Sequence, residues 1–270
     1  MTSLQDRHLS ASALNLYQSC PLRFRYRYLD NLYWSGLWGA SPEDRRALEK
    51  GSTFHLMARR LYSGLEPARV ADPVEQRELE AWLGLLQSFL PYEPAKRAYY
   101  PELELRLNRP NFRLVAKFDL LVVEPDGKVT IYDWKTERRL PKRSYLAQSA
   151  QTLVYRYMLA AAGGAYSPNG KFQPQDVSMI YWNPIHAHRW ERLAYTEKQF
   201  QLDEAYLQNL LGQIYRTPHA NFMATADEKV CARCEYQMLC HGRRAEVVEG
   251  ADEEWLSDLT LTWENLPDLP

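Results

Sequence analysis

The sequence has no apolar run approaching the roughly 20 residues that a membrane-spanning helix needs, so no membrane association is expected. Its first residues, MTSLQDRHLS, lack the apolar core of a secretory signal, and a cytoplasmic protein is expected. It contains no G-x-x-x-x-G-K-[ST] stretch, so any ATP-driven helicase step would have to come from a partner. Cysteine is scarce, with four residues: Cys20, Cys231, Cys234 and Cys240. In a reducing compartment a clustered set of this kind argues for a metal centre over a disulfide framework. From Glu246 onward basic residues are missing altogether, against eight acidic ones.

What is present is ordinary for a globular chain. There are 270 residues, 46% of them hydrophobic and 25% charged, enough for one large domain or two small ones. The net charge of −1 hides an asymmetry, because residues 1–245 carry a basic excess of seven. A mildly basic body points weakly to nucleic acid. The acidic end reads as a solvated tail, a partner contact or a competitor for a basic groove.

The stretch Val129–Thr136 (VTIYDWKT) is rich in β-branched and aromatic residues and predicts a strand. Asp133 and Lys135, two apart, then share a face. The segment from Asn111 to Val123 predicts the preceding strand, with Lys117 and Asp119 on one face. Pro125-Asp126-Gly127 is a favoured hairpin loop. If Glu124 pairs with Lys128, paired residue numbers sum to 252 and Asp119 lies opposite Asp133. Opposed carboxylates destabilise a sheet unless a cation bridges them, which makes a divalent-metal site the natural reading. An alternating segment from Tyr100 to Leu107 predicts a further strand, with Glu102, Glu104 and Arg106 on its polar face. Two more are predicted at Val177–Trp182 and Trp190–Ala194.

Helices are predicted from Ser10 as N-cap, from Pro21, over about 42–62, over 73–90, over about 145–162, and from the Thr196–Gln199 capping box to about Arg216. Arg23, Arg25 and Arg27 surround an aromatic stripe of Phe24 and Tyr28. They fit either an amphipathic packing helix or phosphate contacts. His55 follows Gly51 by four residues within a helix. Gln151 and Tyr155 share one helical face. His186 and His188 read as loop histidines. The Cys-x2-Cys-x5-Cys set of Cys231, Cys234 and Cys240, with the distant Cys20, supplies four thiolates, sufficient for zinc or an iron–sulfur cluster.

The order Ser-x-Ser-x-Leu…Cys-Pro, Gly-x-x-x-His, Asp, Asp-x-Lys, Gln-x-x-x-Tyr and Cys-x2-Cys-x5-Cys resembles the PD-(D/E)XK nuclease superfamily. Within it, the chain looks like the RecB-type branch with an iron–sulfur cluster, similar to AddB nuclease domains and CRISPR-associated adaptation nucleases. The resemblance covers about Ser10 to Cys240, apart from the 66–98 helices. It implies an α/β fold: a restriction-endonuclease-like core with a mixed central sheet flanked by helices, an N-terminal helical part and a Cys-clamped C-terminus. Residues 1–245 would form one nuclease domain, with 42–98 largely helical, 228–242 binding the cluster and 246–270 an acidic tail.

The same resemblance implies roles. His55, Asp119, Asp133 and the Trp134 carbonyl would hold Mg²⁺ or Mn²⁺. Lys135 would position or activate the attacking water, and Gln151 and Tyr155 would line the site. Cys20, Cys231, Cys234 and Cys240 would hold a 4Fe–4S cluster, with structural zinc as the alternative. Ala116 and Leu120 depart from the Gly and Arg common in relatives, but neither change removes a ligand. The implied activity is metal-dependent DNA cleavage, as an exonuclease on single strands or ends in repair, recombination or CRISPR-type processing, with a helicase or other repair or CRISPR protein as partner. The competing class is a non-catalytic nucleic-acid-binding or assembly subunit that keeps the fold.

Overall fold

A computed structural model describes residues 4–32, 41–139, 141–232 and 234–242. The tryptophan- and glycine-rich loop is largely, and the acidic tail wholly, outside the described residues. The elements are α1 (Ala11–Ser19), α2 (Pro21–Tyr28), α3 (Pro42–Tyr62), α4 (Pro73–Phe89), β1 (Ala98–Arg109), β2 (Phe112–Val123) and β3 (Val129–Trp134). They continue with α5 (Arg143–Gln148), α6 (Ala150–Ala162), β4 (Val177–Trp182), β5 (Glu191–Ala194), α7 (Glu197–Arg216), α8 (Glu228–Ala232) and α9 (Gln237–His241). Short 3₁₀ turns complete the connections. Among the described residues no helix is long and apolar enough to cross a membrane.

The sheet has the order β1-β2-β3-β4-β5. Strands β2 and β3 are antiparallel, β3 and β4 parallel, and β4 and β5 antiparallel, so the sheet is mixed and flanked by helices, as expected. The hairpin register is the anticipated one: Val123 faces Val129, Leu120 faces Tyr132, and the Glu124 N–H donates to the Lys128 carbonyl at 2.8 Å. Gly127 sits at φ +90°, a conformation that side chains disfavour, and this fixes the turn. The parallel step from β3 to β4 requires a crossover, which α5 and α6 supply.

One helix expected over about 145–162 is two. Ser149 adopts an extended conformation (ψ 146°), ends α5, and caps α6 by accepting from the Thr152 N–H at 3.2 Å. Serine competes with the helix ladder through such local bonds, which is the physical reason for the break.

The chain divides into two compact units. One contains the described residues of Met1–Arg46, Arg106–Val115 and Glu204–Pro270; the other comprises Ala47–Leu105 and Ala116–Asp203. In the second unit, Phe54, Met57, Leu79 and Leu83 from α3 and α4 pack with Leu120, Trp134 and Trp182 of the sheet. Stacked rings join the layers, Phe54 on Trp182 at 6.2 Å and Tyr62 on Trp134 at 6.1 Å. In the first unit, Phe24 stacks on Phe222 at 6.0 Å, which holds α2 to the segment that leads toward α8.

Candidate active site and thiol pocket

The site in the second unit starts where the β2–β3 ladder stops. Its last described pair is Leu120 with Tyr132, one short of Asp119 and Asp133. There the Trp134 N–H donates to Asp119 Oδ2 at 2.7 Å, so a side chain replaces the next ladder bond. Strand β3 keeps its other neighbour: the Lys135 N–H donates to the Trp182 carbonyl at 2.8 Å. The two carboxylates consequently face different partners.

Asp119 meets His55, with Nδ1 at 3.3 Å from Oδ1. Helix α3 can come this close because Gly51, one turn before His55, has no side chain; a Cβ there would lie 2.6 Å from Thr136 Oγ1. Donor atoms of His55, Glu102 and Asp119 all lie within 4.8 Å of one another. Nothing in the sequence singles out Glu102 as a ligand. It sits in β1 at φ +52°, a left-handed conformation rare for a non-glycine residue, and forms an ion pair with Lys117.

Asp133 is only 3% exposed and belongs to a second cluster. Its Oδ2 lies 2.6 Å from Lys135 Nζ, and its Oδ1 accepts from Gln151 Nε2 at 2.7 Å. Lys135 also donates to Gln151 Oε1 at 3.1 Å, so the amide ties carboxylate and ammonium together. The ammonium sits 5.4 Å from the Tyr181 ring centroid, an approach with no signature in the sequence. Tyr181 in turn shares a 2.7 Å hydrogen bond with Thr152. Tyr155 lies edge-on to Phe118 at 5.0 Å. The Trp134 ring is buried against Tyr62 and Tyr132.

These surroundings split the protonation equilibria. Burial raises Asp133, with Asp119 adding to it against Lys135, to about 6. Asp119 goes down: burial opposes this, but the His55 charge, the Trp134 N–H and Lys135 outweigh it. Desolvation pulls His55 down, but Asp119, Asp133 and Glu102 overcome it and raise the imidazole to about 9. Desolvation also works against the Lys135 charge; Asp133 and Glu137 outweigh it, so Lys135 is raised and stays an ammonium at neutral pH. Two carboxylates and an imidazole form a hard oxygen and nitrogen donor set, suited to Mg²⁺ or Mn²⁺. Ligands about 2.1 Å from one ion lie at most about 4.2 Å apart, so the donors need only a small contraction to fit one.

In the first unit, Cys20, Cys231, Cys234 and Cys240 line one small pocket, together with Arg23, Tyr26, Tyr236 and His241. The Tyr236 N–H points at Cys234 Sγ (3.4 Å), and Gln237 Nε2 donates to the Cys231 carbonyl at 2.5 Å. Burial pushes the Cys234 thiol up to about 12, and Glu235 adds to this. Arg23 and Arg27 do not serve as exposed phosphate contacts: both are buried, and both bind Glu235. Arg25 pairs with Asp30 at 3.0 Å. The packing reading of α2 therefore holds. His186 is a loop histidine whose Nε2 donates to the Arg138 carbonyl at 2.8 Å.

A family model described as the PD-(D/E)XK nuclease superfamily matches residues 8–241. No curated protein matches the chain. Among solved structures, a "putative exonuclease" from Eubacterium rectale is similar with a TM-score of 0.54 at 11% identity, covering 94% of this chain and 93% of that one. A structure described as SSO0001 aligns with a TM-score of 0.41 at 15% identity, covering 90% of each chain.

Proposed function

The chain belongs to the PD-(D/E)XK nuclease superfamily, and on that premise we propose that it is a Mg²⁺- or Mn²⁺-dependent deoxyribonuclease. It acts as an exonuclease on single-stranded DNA or DNA ends, in repair, recombination or CRISPR-type processing. The observation that carries this reading is the adjacency of two sets: His55, Glu102 and Asp119 as cation donors, and Asp133, Lys135 and Gln151 as a bonded triad. A pure binding or assembly subunit has no need of three cation donors set beside a bonded Asp–Lys–Gln triad. The family match spans both compact units and supports reading residues 1–245 as one nuclease domain.

A divalent cation at these donors would supply Lewis acidity at the phosphate and acidify a bound water. Asp119 and His55 are assigned as its ligands, with Glu102 on the same ion and Asp133 and the Trp134 carbonyl completing the set. His55 carries a proton at neutral pH in the metal-free site, and this proton must leave before the nitrogen can ligate. Lys135, held by Asp133 and Gln151, presents a fixed positive charge beside the nucleophile, where charge develops. Gln151 restricts the ammonium to one orientation, so little reorganisation is left for the reaction. Tyr155 supports the wall behind Phe118.

Four thiols around one pocket fit a 4Fe–4S cluster, and structural zinc is the alternative that the same donors allow. The cluster would place the chain in the RecB-type branch, and a helicase or other repair or CRISPR protein is its expected partner. Anaerobic purification with iron, sulfide and zinc analysis separates the two: a brown protein with matched iron and sulfide supports the cluster, and a colourless zinc protein refutes it.

The nuclease reading is tested with purified protein, Mg²⁺ or Mn²⁺, and end-labelled single- and double-stranded DNA alongside circular single strands. Expected is cleavage of the linear substrates only, abolished by Asp133→Ala and by Lys135→Ala. No cleavage of any substrate, or full activity in both variants, would refute it. Cleavage of circles would replace exonuclease with endonuclease action.

A further inference from the structure

Two segments of the second unit carry a feature that the site chemistry does not use. Residues 137–145 follow the Asp133–Lys135 strand, and their basic residues Arg138, Arg139, Lys142 and Arg143 outnumber a single acidic one, Glu137. Arg138, Arg139 and Lys142 are exposed. Beside them runs the segment from the end of β4 to the start of β5, residues 183–191, with exposed His188 and Arg189.

The two segments are fastened to each other. The buried Asn183 Nδ2 donates to the Glu137 carbonyl at 2.8 Å. His186 Nε2 donates to the Arg138 carbonyl at 2.8 Å, and Arg143 pairs with Glu191 at 3.1 Å. The fastening uses backbone carbonyls on the 137–138 side, so it fixes the course of the main chain from which Arg138 and Arg139 project. Two exposed rings neighbour the Arg143–Glu191 pair in sequence: Trp190, next to Glu191, is 46% exposed, and Tyr145, two residues after Arg143, is 45% exposed. The Trp190 ring is steadied by Phe89 at 5.7 Å.

Basic side chains interleaved with exposed aromatic rings are the chemistry that binds single-stranded nucleic acid: cations track the phosphates, and rings stack on unpaired bases. A duplex hides its base faces and gives such rings nothing to stack on. Arg138 follows Lys135 by three residues, so their Cα atoms are at most about 11 Å apart. We propose that Arg138, Arg139, Lys142, Arg189, Trp190 and Tyr145 form a ridge that binds the single-stranded DNA leading to the active site. The ridge is a specificity determinant: it selects single strands over duplex and sets where the strand enters. The proposal rests on the nuclease reading for the location of the active site, but binding to the ridge is separable from cleavage.

The test is fluorescence anisotropy of a labelled 20-nucleotide oligothymidine and of a matched-length duplex, in EDTA over a salt series, with circular dichroism to confirm folding. Wild type is expected to prefer the single strand. Each phosphate that the protein no longer neutralises lowers the slope of log K against log salt by about 0.7. Arg138→Ala/Arg139→Ala should therefore lower it by about 1.4, and Arg138→Lys/Arg139→Lys should restore it. Trp190→Ala should weaken single-strand binding about 5- to 100-fold with the slope unchanged, and reduce the preference over duplex. Unchanged affinity and slope in the double alanine variant, duplex bound as well as single strand, or a Trp190→Ala variant that binds normally would each overturn the ridge. Cleavage with Mn²⁺ is read separately on wild type. If it fails while binding behaves as expected, the nuclease reading falls and the ridge stands.

Discussion

Gly51 permits a quantitative test of how helix α3 delivers His55. Alanine at this position should gain about 1 kcal/mol of helix propensity, because glycine is the poorer helix former. Against this, the added Cβ would meet Thr136 Oγ1 at 2.6 Å, inside any real carbon–oxygen contact, whereas Thr136 Cβ at 3.7 Å is ordinary packing. Overpacking of this kind costs about 1–3 kcal/mol. Gly51→Ala alone should therefore fall between neutral and about 2 kcal/mol destabilising. It should lower cleavage more than stability, since relief of the contact by a shift of α3 carries His55 with it, and misplacement by about 1 Å can cost on the order of 100-fold. Thr136→Ala removes the offending oxygen. The double variant should then recover cleavage and match or exceed the stability of Thr136→Ala by about 1 kcal/mol. The readouts are urea midpoints and single-turnover cleavage for all four proteins. A coupling energy under about 0.5 kcal/mol, the scatter expected of independent sites, refutes close approach at Gly51 as the device that places His55.

Glu102→Gln should weaken Mn²⁺ binding, measured calorimetrically without DNA, and shift the metal dependence of cleavage to higher concentration; an unchanged titration removes Glu102 from the ligand set. Gln151→Ala should lower the cleavage rate with substrate affinity largely kept, because it frees Lys135 and Asp133 without touching the ridge; a pure affinity loss would contradict that role. Glu235→Gln should destabilise the fold by about 3–5 kcal/mol in chemical denaturation, since it leaves Arg23 and Arg27 buried without their carboxylate. Asp203 is buried beside Gln199 and Tyr195, and burial holds its carboxyl above the ordinary range. A folded-state value above the unfolded one stabilises at low pH, and that contribution is lost as pH rises through the folded value. Wild type should thus lose stability relative to Asp203→Asn between the ordinary carboxylate value and the raised one; parallel stability curves would refute this.

Local features were legible wherever a short-range rule decides them. The hairpin register followed from loop length and Gly127, and the Ser10 and Thr196 caps from side chains that bond backbone amides a turn away. The pairing of Asp119 with Asp133 was legible only up to the last ladder step, because the Asp119 side chain itself replaces the next backbone bond. Glu102 was hidden for a different reason. In sequence it is one of several charged residues on an alternating strand, and only its left-handed backbone marks it out. The partner of Arg23 and Arg27 is Glu235, more than 200 residues away, beyond the reach of any periodicity. The proximity of the 137–145 and 183–191 segments likewise depends on the parallel pairing of β3 with β4, which brings their ends level.

The buried trio of Arg23, Arg27 and Glu235 has an electrostatic consequence for the thiol pocket beside it. Two guanidiniums share one carboxylate, and Arg23 lines the pocket itself. Protonated thiols are neutral and leave that excess of positive charge to be carried by the fold alone. Thiolates gathered on a metal are anionic and draw on it. Arg23 in the wall would face such thiolates as a counter-ion, whereas without a metal burial keeps Cys234 a neutral thiol.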